Sequence, residues 1–108
     1  MTRFESIPAA EWKSKLAAQK SMGFTRFEWL MATHNLGTEF EVSARLARPD
    51  LSEAIIFSCL IECAELESVT EVFPSADFHE REVRQMFGIN FLGNENSRLA
   101  FETDFQGF

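Results

Sequence analysis

The densest chemistry in this 108-residue chain is the run His79-Glu80-Arg81-Glu82. On a helix, His79 and Glu82 lie one turn apart and can both reach one metal ion. The pattern is not His-Glu-x-x-His, however, and the only other histidine is His34. A catalytic zinc takes three protein ligands, so a small metal-dependent enzyme built on His79 and Glu82 lacks its third. Cys59 and Cys63, the only two cysteines, are too few for an iron–sulfur cluster or a structural zinc. On one strand they would lie about 13 Å apart, beyond disulfide reach. They read as two reduced core cysteines. No Ser/His/Asp or Cys/His arrangement and no glycine-rich phosphate loop is visible, and no catalytic site or metal site is assigned.

Three roles remain open for the charge cluster. Glu80 and Arg84 form an i,i+4 pair of favourable orientation, which supports a helix modestly. Glu80, Arg81 and Glu82 can form surface salt bridges of little worth. They can also form a buried ion network at a protein interface, where charges need partners.

The element carrying the cluster is marked at both ends. Pro74 excludes a helix before it. Asp77 and Glu80 have capping-box spacing. Gly88 stands where a left-handed C-terminal residue is needed, with Ile89 placed to fold back onto Val83. The spacing predicts a helix over 77–87. Upstream, residues 8–20 read as a helix opened by Pro8, with Trp12 and Leu16 one turn apart. Residues 24–33 read as a strand with Phe27, Trp29 and Met31 on one face and Arg26 and Glu28 on the other. After a turn at His34–Gly37, Phe40, Val42, Ala44 and Leu46 alternate with Glu39, Glu41, Ser43 and Arg45, a strand period of two. The two strands form an antiparallel hairpin, broken by Arg48-Pro49-Asp50. Residues 53–63 are apolar on both faces and read as a central or covered strand, with a buried helix as the alternative. A helical turn near 68–72 and extended segments at 89–92 and 98–102 complete the chain. The order α-β-β-β-α-β-β implies an α+β fold, a two-layer sandwich with a mixed sheet of about five strands. Residues 1–108 read as a single domain, since a second core would not fit.

Charge is uneven. Residues 1–50 carry seven Lys/Arg and six Asp/Glu, whereas residues 51–108 carry three Arg and eleven Asp/Glu. The acidic half argues against nucleic acid, which needs clustered cations. It suits a basic protein partner or solubility. No apolar run approaches the 18 residues of a membrane span, and Met-Thr-Arg-Phe-Glu lacks a signal peptide's apolar core. A cytoplasmic chain, associated with membrane only through partners, is expected. Twelve Phe and no Tyr suggest that some rings face a partner.

The segment 73–93 resembles the 30-kDa subunit (the C subunit) of respiratory NADH:quinone oxidoreductase, complex I, and the related subunit of membrane-bound nickel–iron hydrogenases. The residues carrying the resemblance are Phe73, Pro74, Ala76, Asp77, His79, Glu80, Arg81, Glu82, Met86, Phe87, Gly88, Ile89, Phe91 and Gly93. Phe24–His34 and Ser68–Val72 extend it upstream. Gln85 stands where that family has Asp, and the family's basic C-terminal segment is replaced by a stretch with Arg98 as its one cation. The resemblance implies a non-catalytic structural subunit that binds no cofactor itself. Iron–sulfur clusters and quinone would belong to partner subunits. The chain would brace a large hydrogenase-like subunit and a small cluster-bearing one, peripheral on the inner face of the membrane. The expected partner interface is Glu80, Arg81, Glu82, Phe87, Arg98, Phe101, Phe105 and Phe108. The departures favour a second reading, a free-standing interaction domain that keeps the fold but not the complex.

Overall fold

The structure, a computed structural model, describes residues 1–35 and 37–94. Six strands and two helices follow in the order β1 (Thr2–Ser6), a short 3-10 turn (Ala9–Glu11), α1 (Trp12–Ser21), β2 (Arg26–His34), β3 (Phe40–Ala47), β4 (Ala54–Ile61), β5 (Glu65–Glu67), α2 (Ala76–Phe87) and β6 (Asn90–Leu92). The fold is α+β. Its main sheet has four strands in the order β1-β4-β3-β2, and β5 and β6 form a separate parallel pair. The main sheet is mixed, since β1 runs parallel to β4 while β2, β3 and β4 form an antiparallel meander.

The period-two pattern of β3 holds: Val42, Ala44 and Leu46 are buried. In register with them lie Leu30 and Ala32 of β2 and Ile55, Phe57 and Cys59 of β4. All are buried and form one layer of the core. Trp12 and Leu16 of α1 and Ala76 and Val83 of α2 belong to the same cluster, together with Phe73, Ile89 and Phe91. Each fully buried Leu, Ile or Phe side chain contributes roughly 1.5–3 kcal/mol. Residues 54–61 are a strand, not a buried helix, because β1 and β3 pair with it on both edges.

Three expectations need correction. β1 is an additional strand: Thr2 is partly buried and the other four residues are exposed, which leaves no alternating pattern to read. The single sheet of about five strands is instead a four-stranded sheet plus the β5–β6 pair, with α2 as the crossover between those two short strands. Phe27 does not share a face with Trp29 and Met31. A β-bulge at Phe27–Trp29 pairs Phe27 with Leu46 and Trp29 with Arg45, so the alternation flips there. Phe27 turns to the helix side, where its ring meets Phe73 at 5.4 Å and His79 at 5.7 Å. The expected extended segment at 98–102 lies outside the described residues.

α1 is fastened to the chain ahead of α2 by two lysines. Lys13 pairs with Glu71 at 2.8 Å and Glu67 at 3.8 Å, and Lys20 donates to the Val72 carbonyl at 2.6 Å. Arg48 links two turns: it donates to Glu53 and to the Met22 carbonyl, and its guanidinium stands 4.5 Å over the Phe24 ring. At the end of α2, Gly88 has φ 74° and donates to the Arg84 carbonyl at 2.8 Å, the left-handed cap expected from sequence. Nothing stands within 4 Å of the position its Cβ would take, so backbone strain alone opposes a side chain there. Gly88→Val should therefore lower stability by about 1 kcal/mol or more, and Gly88→Asn by less, as read from urea denaturation midpoints. A Val variant that unfolds like the parent would contradict this cap.

Candidate functional site: a buried carboxylate under an exposed helix face

α2 opens after Pro74 and Ser75. Its core-facing positions, Ala76, Glu80 and Val83, are spaced four and three apart. A carboxylate thus occupies the middle of an apolar stripe. Glu80 is 0% exposed. Its Oε1 accepts hydrogen bonds from Ser68 Oγ and Asn94 Nδ2, each at 2.8 Å, and its Oε2 accepts from the Val69 backbone N–H at 2.9 Å. Ser68 Oγ accepts in turn from the Thr70 N–H at 3.1 Å. One side chain thus joins α2, the 68–70 turn and the residue that follows β6 and Gly93.

This corrects two expectations for Glu80. It does not face a partner but braces the chain internally. Nor does it close a capping box: Ser75 makes no side-chain cap bond, and Asp77 turns to Arg81, whose Nε lies 3.6 Å from Asp77 Oδ2. Arg84 reaches Asn90 Oδ1 at 3.0 Å rather than serving the helix pair foreseen with Glu80. Sequence reasoning missed Ser68, Val69 and Asn94 as its partners. The signal that was present is the spacing Ala76, Glu80, Val83, Phe87, which puts a charge on the buried face.

The other expected interface residues separate. Glu82 is exposed, and Arg81 and Phe87 are partly buried. Phe87 packs edge-on to Phe40 at 6.1 Å, so its ring serves mainly the core. Between Phe78 (58% exposed) and Met86 (74% exposed), Glu82 completes an outward stripe along α2. Arg98, Phe101, Phe105 and Phe108 lie outside the described residues. His79 packs its ring against Phe27 and Phe78. Among the described residues no group of three or more His, Cys, Asp or Glu is arranged to hold a metal. Both cysteines are free. Cys59 is buried as expected, but Cys63, just past the end of β4, is exposed and not a core residue.

Burial raises the Glu80 carboxyl above its ordinary range, against the hydrogen bonds from Val69, Asn94 and Ser68 that oppose it. A raised carboxyl holds its proton better folded than unfolded. Its contribution is therefore complete below the unfolded value and declines as pH rises through the folded one. The slope of stability against pH above about 4.5 should accordingly be less negative in Glu80→Gln. Glu80→Ala, which orphans buried donors, should cost about 1–3 kcal/mol at pH 4 and less as pH rises. Urea titrations across pH 4–8 check both, and an unchanged slope in Glu80→Gln would refute the assignment. Burial also pushes the Cys59 thiol up to about 12. A chromogenic disulfide reagent at pH 8 should thus modify Cys63 in the native chain and Cys59 only after denaturation; equal rates would contradict the placement.

The profile of the family described as "Respiratory-chain NADH dehydrogenase, 30 Kd subunit" matches residues 6–108. The C subunit of the NADH-quinone oxidoreductase of Rickettsia conorii (strain ATCC VR-613 / Malish 7) is 34% identical over 70 residues, which is 63% of this chain and 29% of that protein. The corresponding C subunit of Salinispora arenicola (strain CNS-205) is 44% identical over 48 residues, 44% of this chain and 20% of that protein. The matched stretch covers less than a third of either relative. Among solved structures, the trypsin-resistant fragment (1-134) of Nqo5 superposes with a TM-score of 0.73 at 26% identity, covering 82% of this chain and 77% of the fragment. A chain of the membrane-bound sulfane sulfur reductase, an archaeal respiratory membrane complex, gives a TM-score of 0.78 at 25% identity over 85% of this chain and 58% of that one. The region matched by the family profile includes the buried Glu80, the α2 helix and the Gly88 cap, and the chain belongs to the respiratory-chain NADH dehydrogenase 30-kDa subunit family.

Proposed function

We propose that the chain is a non-catalytic structural subunit of an NADH:quinone oxidoreductase-type electron-transfer complex, or of a related membrane-bound hydrogenase-type complex. It braces the hydrogenase-like large subunit and the small cluster-bearing subunit. Iron–sulfur clusters and quinone belong to those partners, and this chain binds no cofactor. It works on the cytoplasmic side, peripheral to the inner face of the membrane. Family membership supports the reading, and one observation carries it. The motif helix spends its central carboxylate on holding its own fold, while its outer side offers Phe78, Glu82 and Met86 to a neighbour. Exposed apolar groups of this size, set around a charge, mark contact surfaces. No helix among the described residues is long and apolar enough to cross a membrane, so on this reading the membrane is reached through partners.

The tagged chain, purified from cells expressing its genomic neighbours, should emerge as a heteromer with a large subunit and a cluster-bearing subunit. The visible absorbance should follow the partners, and the chain alone should be colourless. Phe78→Glu combined with Met86→Glu should abolish this copurification while leaving the melting curve of the isolated chain unchanged. A soluble homo-oligomer with no partner would overturn the proposal in favour of a free-standing interaction domain.

A further inference from the structure

The face of the main sheet opposite the helices carries no covering layer among the described residues. Its outward positions line up in register across the strands. Ser6, Ser58 and Ser43 form one row, continued by Met31. The next row is Phe4, Ile56, Arg45 and Trp29, and on the other side of the serines Leu60 stands opposite Glu41. Small side chains between two rows of larger ones make a trough that crosses the strands, and grooves found there are lined by these same residues. Phe4 is 77%, Leu60 53% and Met31 49% exposed.

Charge along the trough is one-sided. Arg45 is already engaged by Glu28 at 3.3 Å, and Arg26 holds the other oxygen of that carboxylate at 3.0 Å. Around Leu60, by contrast, stand Glu41, Glu39, Glu62 and Glu65. None of these four has a cationic side chain within ion-pairing distance among the described residues. Glu39 accepts only a neutral amide, from Asn35. A trough with a serine floor, flanked by Phe4, Ile56, Trp29, Met31 and Leu60 and ending in uncompensated carboxylates, is complementary to a segment with apolar side chains along its length and Lys or Arg at one end.

We propose that this sheet face is a second docking surface, separate from α2, and that it seats a basic, apolar-faced segment of a partner subunit. The proposal rests on the reading of the chain as a subunit of a larger assembly. Phe4, Ile56, Trp29, Met31 and Leu60 supply the apolar area to be buried, and the carboxylates around Leu60 fix the direction in which the segment lies.

Hydroxyl-radical footprinting of the isolated chain and of the purified complex tests the surface. Trp12 is fully buried, so tryptophan oxidation reports on Trp29. Phe4, Trp29 and Met31 should each lose most of their reactivity in the complex. Zero-length carbodiimide coupling of the same complex tests the chemistry, and should join Glu41 or Glu62 to a lysine of another subunit. Glu41→Lys with Glu62→Lys should abolish that cross-link and weaken retention at least tenfold without shifting the melting curve of the free chain. If a complex is isolated but Phe4, Trp29 and Met31 react as in the free chain, this proposal fails while the subunit reading stands. Cross-links only to lysines of a second copy of this chain would also overturn it. If no complex forms at all, the subunit reading itself fails, and the docking surface with it.

Discussion

A carboxylate sealed in an apolar interior is the constraint around which the second half of the chain is arranged. Removing Glu80 from water carries a large desolvation cost, offset only if every oxygen lone pair that matters finds a donor. The fold supplies those donors from the 68–70 turn and from Asn94, on either side of α2 in sequence. The β5–α2–β6 unit is consequently more than a crossover between two three-residue strands. Such short strands would hold weakly on their own. The shared carboxyl group ties their connecting segments to the helix between them, and Leu66, Ile89 and Phe91 are then buried in the common core.

The bulge in β2 is the complementary device in the first half. One extra residue lets Phe27 join the helix-side core while Trp29 and Met31 stay on the open face. Without it, strict alternation would send Phe27 outward with Trp29 or draw both inward. The two faces of the sheet are therefore specialised. One is closed by α1 and α2, and the other, among the described residues, carries a central row of serines flanked by apolar side chains and is acidic at one end.

Much of this is legible in the residues. The alternation in 40–46, the breaker at Arg48-Pro49-Asp50, the helix from 77 to 87 and the left-handed Gly88 all follow from local patterns, and the structure bears them out. What is not legible depends on pairing across long sequence distances. β1 has an exposed edge-strand composition and owes its conformation to hydrogen bonds with β4. The bulge has no sequence mark that separates it from regular alternation. Of the site, the motif helix can be located from its ends, but the inward turn of Glu80 looks, in sequence, like a partner contact. A charge near apolar residues on a short helix fits either role until its partners are seen. Those partners, a serine, a backbone amide and an asparagine, are of types too common to stand out.

The pairing of β1 with β4 bears on how the chain reaches this state. β2, β3 and β4 are joined by short turns, and their contacts can form with little loss of chain entropy. β1 must close a loop of about fifty residues before its first bond to β4 rewards it, a penalty that grows with the logarithm of loop length. α1 lies within that loop, and Trp12 and Leu16 need the meander's inner face to be buried against. Topology thus favours assembly with the meander as template and α1 and β1 closing onto it later. As a mostly exposed strand paired on one edge only, β1 is also where the native sheet is expected to open first.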